Sequence, residues 1–292
     1  MRHSIKYSGL ISILILSFAS CSAEPIDGDY AFSLIEKQCS FGARVPGTDA
    51  HEECVFFIRN EAEKYADTVY LQQFKKRVSY DSDTILFTNI IAEINPDESR
   101  KIMLFSHYDS RPFSSKKNTP TPGANDGASS TALLIAMMKQ MKKDSIKDNI
   151  VFVFFDGEDG GRDIHYDEWF IGSRYFAEKY NEKLPEMAIL LDMIGDNDLL
   201  IKKEGNSELF NHELNTKIFK NAEKLKKKTF ENAIGYFVDD DHIALNKAGF
   251  RCVDIIDMDY AYWHTPEDTP DKCSKESLVD VGEVILKTIY ER

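Results

Sequence analysis

Short apolar runs alternate with amphipathic segments along most of the chain. Apolar runs predict strands over residues 69–78, 85–94, 101–106, 149–156, 187–192 and 251–257. The run at residues 149–156 (NIVFVFFD) is nearly continuous, as expected for the buried centre of a parallel sheet. Apolar residues at helical spacing predict helices over residues 30–38, 50–65, 127–142, 210–225 and 275–289. This alternation predicts an α/β fold, a three-layer α/β/α sandwich around one central, mostly parallel mixed sheet.

Composition limits the classes of protein to consider. No linker rich in proline, glycine or serine divides residues 30–292, so we expect one domain. Of the 292 residues, 42% are hydrophobic, which is enough for a full core and argues against intrinsic disorder. The 49 acidic and 36 basic residues give a formal net charge of −13. Nucleic-acid binding requires a basic surface, so we expect no nucleic-acid partner.

The first residues have the layout of a secretory signal peptide. A basic start precedes an apolar stretch at residues 10–18 that is too short to span a bilayer, and small residues follow it. We therefore expect residues 1–20 to be removed on export. Residues 18–21 (FASC) resemble a bacterial lipobox, which implies lipidation of Cys21 and attachment to the bacterial cell envelope. Residues 21–29 are then expected to form a lipidated tether.

Four further cysteines remain after Cys21, an even number that predicts disulfides in an oxidising compartment. The pairs we consider are Cys39 with Cys54 and Cys252 with Cys273, while other connectivities and four free thiols stay open. No two cysteines have the CxxC spacing of a zinc-binding pair.

Polar residues of metal-binding type cluster where predicted strands end or just before a helix. In open α/β sheets the functional residues lie at the carboxyl ends of the strands. Each residue alone also has a structural interpretation, such as a helix N-cap for Asp126 or a turn for Asp192. Together they favour a metal site, and carboxylates combined with imidazole suit zinc. The residues are His107, Asp109, Asp126, Glu158, Asp159, Asp192 and His264.

Six motifs, in this order, resemble those of zinc-dependent glutaminyl cyclases, which belong to the larger M28 family of zinc aminopeptidases. The resemblance extends over roughly residues 30–290 and is more specific for the superfamily than for cyclase over aminopeptidase. The motifs are SHYDS at residues 106–110, GANDGAS at 123–129, FDGED at 155–159, LDM at 191–193, DDH at 240–242 and WHT at 263–265.

The resemblance implies a set of metal ligands. Asp126, Asp159 and His264 would hold one zinc ion, with Asp159 at a position where animal cyclases carry glutamate. In the aminopeptidases, residues at the positions of His107 and Asp192 hold a second zinc ion. We therefore expect one zinc ion in a cyclase and two in an aminopeptidase.

The resemblance also implies catalytic and substrate-binding residues. Glu158 would be the general acid/base, and Asp192 and Asp240 would form a hydrogen-bonded network beside it. Trp263 and Trp169, the two tryptophans of the chain, would wall the substrate pocket, although packing in the core is the alternative for a tryptophan. Asp240 precedes Asp-His, where aminopeptidases typically have serine, and this favours the cyclase.

The implied activity is that of a glutaminyl-peptide cyclotransferase, an acyltransferase. Such an enzyme converts the N-terminal glutamine of peptides or proteins to pyroglutamate and releases ammonia. The alternative is a zinc aminopeptidase that hydrolyses N-terminal residues. In either case we expect contact with a membrane only through the lipid anchor.

Overall fold

The structure, a computed structural model, describes residues 26–115, 119–162 and 165–291. The strands in these ranges are β1 (Thr68–Arg77), β2 (Thr84–Ile94), β3 (Lys101–His107), β4 (Asn149–Phe155), β5 (Met187–Asp192), β6 (Ile201–Lys203), β7 (Phe230–Ile234) and β8 (Val253–Ile256). The α-helices are α1 (Gly28–Ser40), α2 (Asp49–Ala62), α3 (Ala128–Asp144), α4 (Ile171–Lys179), α5 (Gly205–Phe210), α6 (His212–Leu225), α7 (Asp241–Lys247) and α8 (Lys275–Tyr290). Short 3₁₀ helices span Tyr166–Glu168 and Pro270–Lys272.

Six strands form one sheet in the order β1-β2-β4-β3-β5-β8. The four strands β4, β3, β5 and β8 are parallel to one another, whereas β2 is antiparallel to β4 and β1 is antiparallel to β2. Every residue of β4 is buried, because helices cover the sheet on both faces. The predicted central, mostly parallel mixed sheet is therefore confirmed. β6 and β7 form a separate parallel pair.

Helices on both faces of the sheet produce the three predicted layers. The core on one face joins residues of α1, α3, α6 and α8 to Leu104 and Phe152 of the sheet. The core on the other face packs Phe176 of α4 and Leu245 of α7 against Phe105. The parallel strands thus end at one edge, and the loops that follow them meet there.

Two predicted helices differ from those in the structure. The helix predicted over residues 50–65 ends at Ala62, and the one predicted over residues 210–225 begins at His212. Asn211 separates α5 from α6, because its side chain accepts a hydrogen bond from the Leu214 amide at 3.3 Å and caps α6. The hydrophobic pattern did not predict α4, α5, β6 or β7, which are short.

The domain begins earlier than predicted. Ile26 is buried in the core beside α8, and the Asp27 carboxylate caps α1 by accepting a hydrogen bond from the Tyr30 amide at 3.0 Å. Residues 26–29 therefore belong to the domain and not to the predicted tether. The predicted signal peptide and Cys21 lie outside the described residues. In the described ranges, no helix has the length and apolar character needed to cross a membrane.

The predicted disulfides are absent from the described structure, where all four cysteines are free thiols. Cys252 packs with the core on the α4 face of the sheet, whereas Cys273 packs with the core on the opposite face. Because the sheet separates the two side chains, the predicted pairing of Cys252 with Cys273 is wrong. Burial raises the pKa of the Cys54 thiol to about 12, which leaves it protonated and unreactive near neutral pH.

Candidate metal centre

The loops that follow the parallel strands bring the predicted ligands together. His107 is the last residue of β3, Asp192 is the last of β5, and Glu158 and Asp159 follow β4. Asp126 reaches the same edge through a tight turn at Gly127, whose φ is +88°. A Cβ at Gly127 would lie 2.7 Å from the carbonyl oxygen of Asp109, so only glycine allows this approach. Gly127, which has no side-chain cap, is the N-cap of α3, so Asp126 is not a helix cap.

Asp126, Asp159 and His264 form the first group of candidate metal ligands. Their ligand atoms lie within 4.8 Å of one another. His264 Nε2 is 3.1 Å from Asp159 Oδ1 and 3.7 Å from Asp126 Oδ2. Among the described residues, the buried Oδ2 atoms of Asp126 and Asp159 have no hydrogen-bond partner. Two such carboxylates beside an imidazole fit a zinc ion with an open coordination position.

The second group shares Asp126 and adds His107 and Asp192. His107 Nε2 lies 3.2 Å from Asp126 Oδ1 and 3.1 Å from Asp192 Oδ1. Burial alone would lower the pKa of His107, but the surrounding carboxylates, above all that of Asp192, raise it well above its usual value. In this group the carboxylate oxygens are thus already in contact with an imidazole.

Glu158 lies between the two groups. Its carboxylate is buried, with Oε2 at 3.9 Å from His107 Nδ1. Burial raises the pKa of Glu158 well above its usual value; His107 opposes the shift, and the negative charges of Asp159 and Asp240 add to it. A carboxylate whose pKa is raised is a stronger base, which suits general acid/base catalysis.

Asp192 and Asp240 line the same cavity as Glu158. Burial raises the pKa of Asp240 to about 7, and the charge of Asp192 adds to the shift. Asp192 accepts a hydrogen bond from the Met193 amide at 2.8 Å and contacts His107. Among the described residues, no hydrogen bond joins either acid to the Glu158 carboxylate, so the network that the resemblance implies is present only as a group of neighbouring acids.

Two buried carboxylates hold the loops that carry the ligands. Asp109 accepts hydrogen bonds from the backbone amides of Glu158 at 3.0 Å and Asp159 at 3.2 Å. Asp268 does the same for the amides of Asn125 at 2.8 Å and Asp126 at 3.2 Å. Each clamp thus fixes the backbone of one ligand-bearing loop, as expected for groups that orient metal ligands.

The sequence placed Asp109 among the metal-site residues but did not predict that it holds the loop of Glu158 and Asp159. Two other residues of this centre, Asp268 and Arg111, were missed. Nothing in the local sequence around Asp268 indicates its role, because its partners are more than 140 positions away. Arg111 directly follows the SHYDS motif, and its Nη1 donates to Asp159 Oδ1 at 3.1 Å.

A cavity of about 340 Å³ opens onto the centre. Glu158, Trp169, Trp263 and His264 line it. The Trp169 ring stacks on the His264 ring with 6.1 Å between centroids, and the Arg111 guanidinium lies 4.6 Å above the same indole. The Trp263 ring lies 4.2 Å from the His264 ring. Both tryptophans therefore contact the imidazole of the first ligand group.

Comparison with known proteins identifies the family. The sequence profile of peptidase family M28 matches residues 89–289, more than half of the chain. The chain belongs to peptidase family M28. The M28 match contains most of the ligand-bearing loops described above, from the end of β3 to His264.

Both activities of the M28 superfamily occur among similar proteins. Aminopeptidase YwaD of Bacillus subtilis is 28% identical over 206 residues, which cover 65% of this chain and 40% of that protein. The glutaminyl-peptide cyclotransferase of Dictyostelium discoideum is 26% identical over 336 residues, covering 96% of this chain and 88% of the relative. This chain thus spans less than half of the aminopeptidase but most of the cyclotransferase.

Solved structures of similar proteins share this fold over most of the chain. The crystal structure of Tannerella forsythia glutaminyl cyclase superposes with a TM-score of 0.87 at 32% identity and covers 92% of this chain and 100% of the cyclase. The resemblance to bacterial glutaminyl cyclases that the six motifs predicted is therefore confirmed, as is the predicted fold class.

Proposed function

We propose that this M28 protein is a glutaminyl-peptide cyclotransferase that holds one zinc ion. The observation that carries the proposal is the buried Glu158 carboxyl group, which faces a cavity beside two carboxylate oxygens without hydrogen-bond partners. The near-complete match to cyclases along the chain supports the same activity.

Asp126, Asp159 and His264 are the residues that would hold the zinc ion. Held there, zinc supplies Lewis acidity toward the oxygen of the carbonyl group under attack. The proposed stoichiometry of one zinc ion per chain rests on the hydrogen-bond pattern. Asp126 Oδ2 and Asp159 Oδ2 in the His264 group have no partner among the described residues, whereas Asp126 Oδ1 and Asp192 Oδ1 contact His107.

Glu158 moves the protons of the reaction. The α-amine nitrogen of an N-terminal glutamine attacks its own γ-carboxamide carbon, so a C–N bond forms as the bond to the amide nitrogen breaks. Glu158 accepts a proton from the attacking nitrogen and donates it to the departing nitrogen, which leaves as ammonia. Water is not consumed. The raised pKa of Glu158 favours this exchange near neutral pH.

The walls of the cavity orient the substrate. Trp169 and Trp263 present apolar surfaces to a small side chain and exclude water from the reacting atoms. Holding the amine close to the amide carbon converts the attack into a preorganised intramolecular step. Burial, together with the charges of Asp159 and Asp240, raises the pKa of Glu158, so that its carboxylate accepts the proton of the attacking amine more readily.

A paired assay tests the proposal. Purified protein is supplied with a glutaminyl peptide and, separately, with alanyl and leucyl peptides, while its zinc content is counted. We expect ammonia and pyroglutamyl peptide with about one zinc ion per chain. The Glu158→Gln variant should keep its zinc and lose turnover about 10²- to 10⁴-fold. Normal turnover by this variant would exclude the proposed role of Glu158.

The aminopeptidase is the second candidate. The arrangement of His107, Asp126 and Asp192 as a potential second metal group and the similarity to YwaD favour it. In that case the same assay yields hydrolysis of the alanyl and leucyl peptides with about two zinc ions per chain.

We further propose that the protein is exported and anchored by a lipid on Cys21. The layout of residues 1–21 supports this, and the domain begins at Ile26, only a few residues later. We expect Cys21→Ala to move the protein from the membrane fraction to the soluble fraction, while Cys39→Ala leaves it in the membrane fraction. An unchanged distribution of Cys21→Ala would contradict the anchor.

A further inference from the structure

Exposed aromatic side chains collect at the mouth of the cavity. Tyr166, Phe237 and Trp263 are 53%, 65% and 43% exposed, and all three line the same opening. They come from three separate segments of the chain, so neighbouring sequence does not explain their proximity. Exposed aromatic groups gathered at a cavity mouth mark a binding surface.

Phe237 is the most exposed of the three, yet its backbone is held firmly. The Gly205 amide donates to the Tyr236 carbonyl at 2.7 Å, and the Val238 amide donates to Glu204 Oε1 at 3.0 Å. These bonds fix the residues on both sides of Phe237. They connect its segment to the start of α5.

The ring of Phe237 is also supported from below. A Cβ at Gly205 would lie 2.6 Å from three atoms of this ring, so the ring lies directly against the glycine. Across the opening, the Tyr166 hydroxyl donates to Asp239 Oδ2 at 3.1 Å, which connects the segment of Tyr166 to the segment of Phe237. One face of Phe237 is thus packed on protein while much of the ring faces solvent. Such a preorganised platform binds without a large loss of side-chain entropy.

The three aromatic residues form a rim that is continuous with the catalytic cavity. This continuity indicates which ligand the rim contacts. If the first residue of a peptide lies beside Glu158, the chain must leave the cavity past the rim. We propose that Phe237 and the aromatic rim bind the second residue of the peptide substrate and favour an apolar side chain there. This inference rests on the proposed function, because it takes the substrate to be an N-terminal glutaminyl peptide.

The test compares two peptides that differ only in the second residue, Gln-Phe and Gln-Gly followed by the same sequence. The wild-type protein should prefer the Gln-Phe peptide by about five-fold in kcat/KM, the scale of one aromatic contact. Phe237→Ala should remove this preference. Phe56→Ala is the matched control, because Phe56 is also 65% exposed but lies on α2 and does not line the cavity.

A binding measurement separates this inference from the proposed function. In the Glu158→Gln background, peptide affinity is followed by the fluorescence of Trp169 and Trp263. If the wild type cyclises neither peptide, the proposed function fails, and the ratio of affinities still decides the role of the rim. Loss of the ratio on Phe237→Ala supports the inference. An unchanged ratio, an equal loss for both peptides, or no binding of either peptide overturns it.

Discussion

The two ligand groups that share Asp126 contain the same kinds of donor but use them differently. Asp126 Oδ1 faces His107, and Asp126 Oδ2 faces His264. His107 is enclosed completely, with carboxylates of Asp192 and Asp109 close to its two ring nitrogens. His264 instead borders the cavity, and in its group the Oδ2 atoms of Asp126 and Asp159 lack hydrogen-bond partners among the described residues.

The difference shows how one constellation of residues can serve one metal ion or two. In the His107 group, a buried imidazole with a raised pKa already compensates the charge of the acids. In the His264 group, Asp159 Oδ1 contacts His264 and Arg111, but the Oδ2 atoms of Asp126 and Asp159 have no hydrogen-bond partner among the described residues, and a bound cation would compensate them. The same difference separates the cyclase from the aminopeptidase, so experiments that act on one group and spare the other are decisive.

The largest expected effect is on metal content. His264→Ala removes one of the three proposed ligands, and we expect the purified variant to contain almost no zinc. His107→Gln should retain about one zinc ion per chain, because it leaves the His264 group intact. Elemental analysis after dialysis, with circular dichroism to confirm folding, measures both. Loss of zinc from His107→Gln with retention by His264→Ala would reverse the assignment.

The next effect is on stability. Zinc that binds only the folded chain stabilises it by about 4 kcal/mol when free zinc exceeds its Kd a thousand-fold. We therefore expect chelation to lower Tm in a thermal unfolding experiment and added zinc to restore it. Magnesium should not replace zinc, and His264→Ala should show no zinc-dependent shift. Equal Tm values with and without zinc in the wild type would contradict a filled site.

The smallest of the three effects concerns Asp268, whose carboxylate holds the loop that carries Asp126, the ligand shared by both groups. Asp268→Asn replaces one of two acceptor oxygens with an amide, so one of the amides of Asn125 and Asp126 loses its acceptor. We expect zinc affinity, measured by competition with a chelator, to fall about 10- to 100-fold. Asp144→Asn, at the opposite end of α3, is the control. An unchanged affinity would show that Asp268 does not position Asp126.

The local sequence was sufficient to predict the features that depend on residue type alone. The apolar runs of β3, β4 and β5 predicted these strands, because a strand that is buried on both faces consists almost entirely of apolar residues. The strand ends likewise predicted where His107, Glu158, Asp159 and Asp192 would meet. The six motifs alone indicate the superfamily, because they depend on residue type and order and not on contacts.

Tertiary structure decided what depends on contacts between distant residues. The sheet separates Cys252 from Cys273, and Asp268 reaches Asp126 across more than 140 positions. Hydrogen-bond partners also distinguish the two ligand groups, although their residue types are the same. The raised pKa of Glu158 arises from burial together with acids brought from other loops. Residue type thus determined which chemistry is available, whereas burial and proximity, which only the folded chain creates, determined how that chemistry is used.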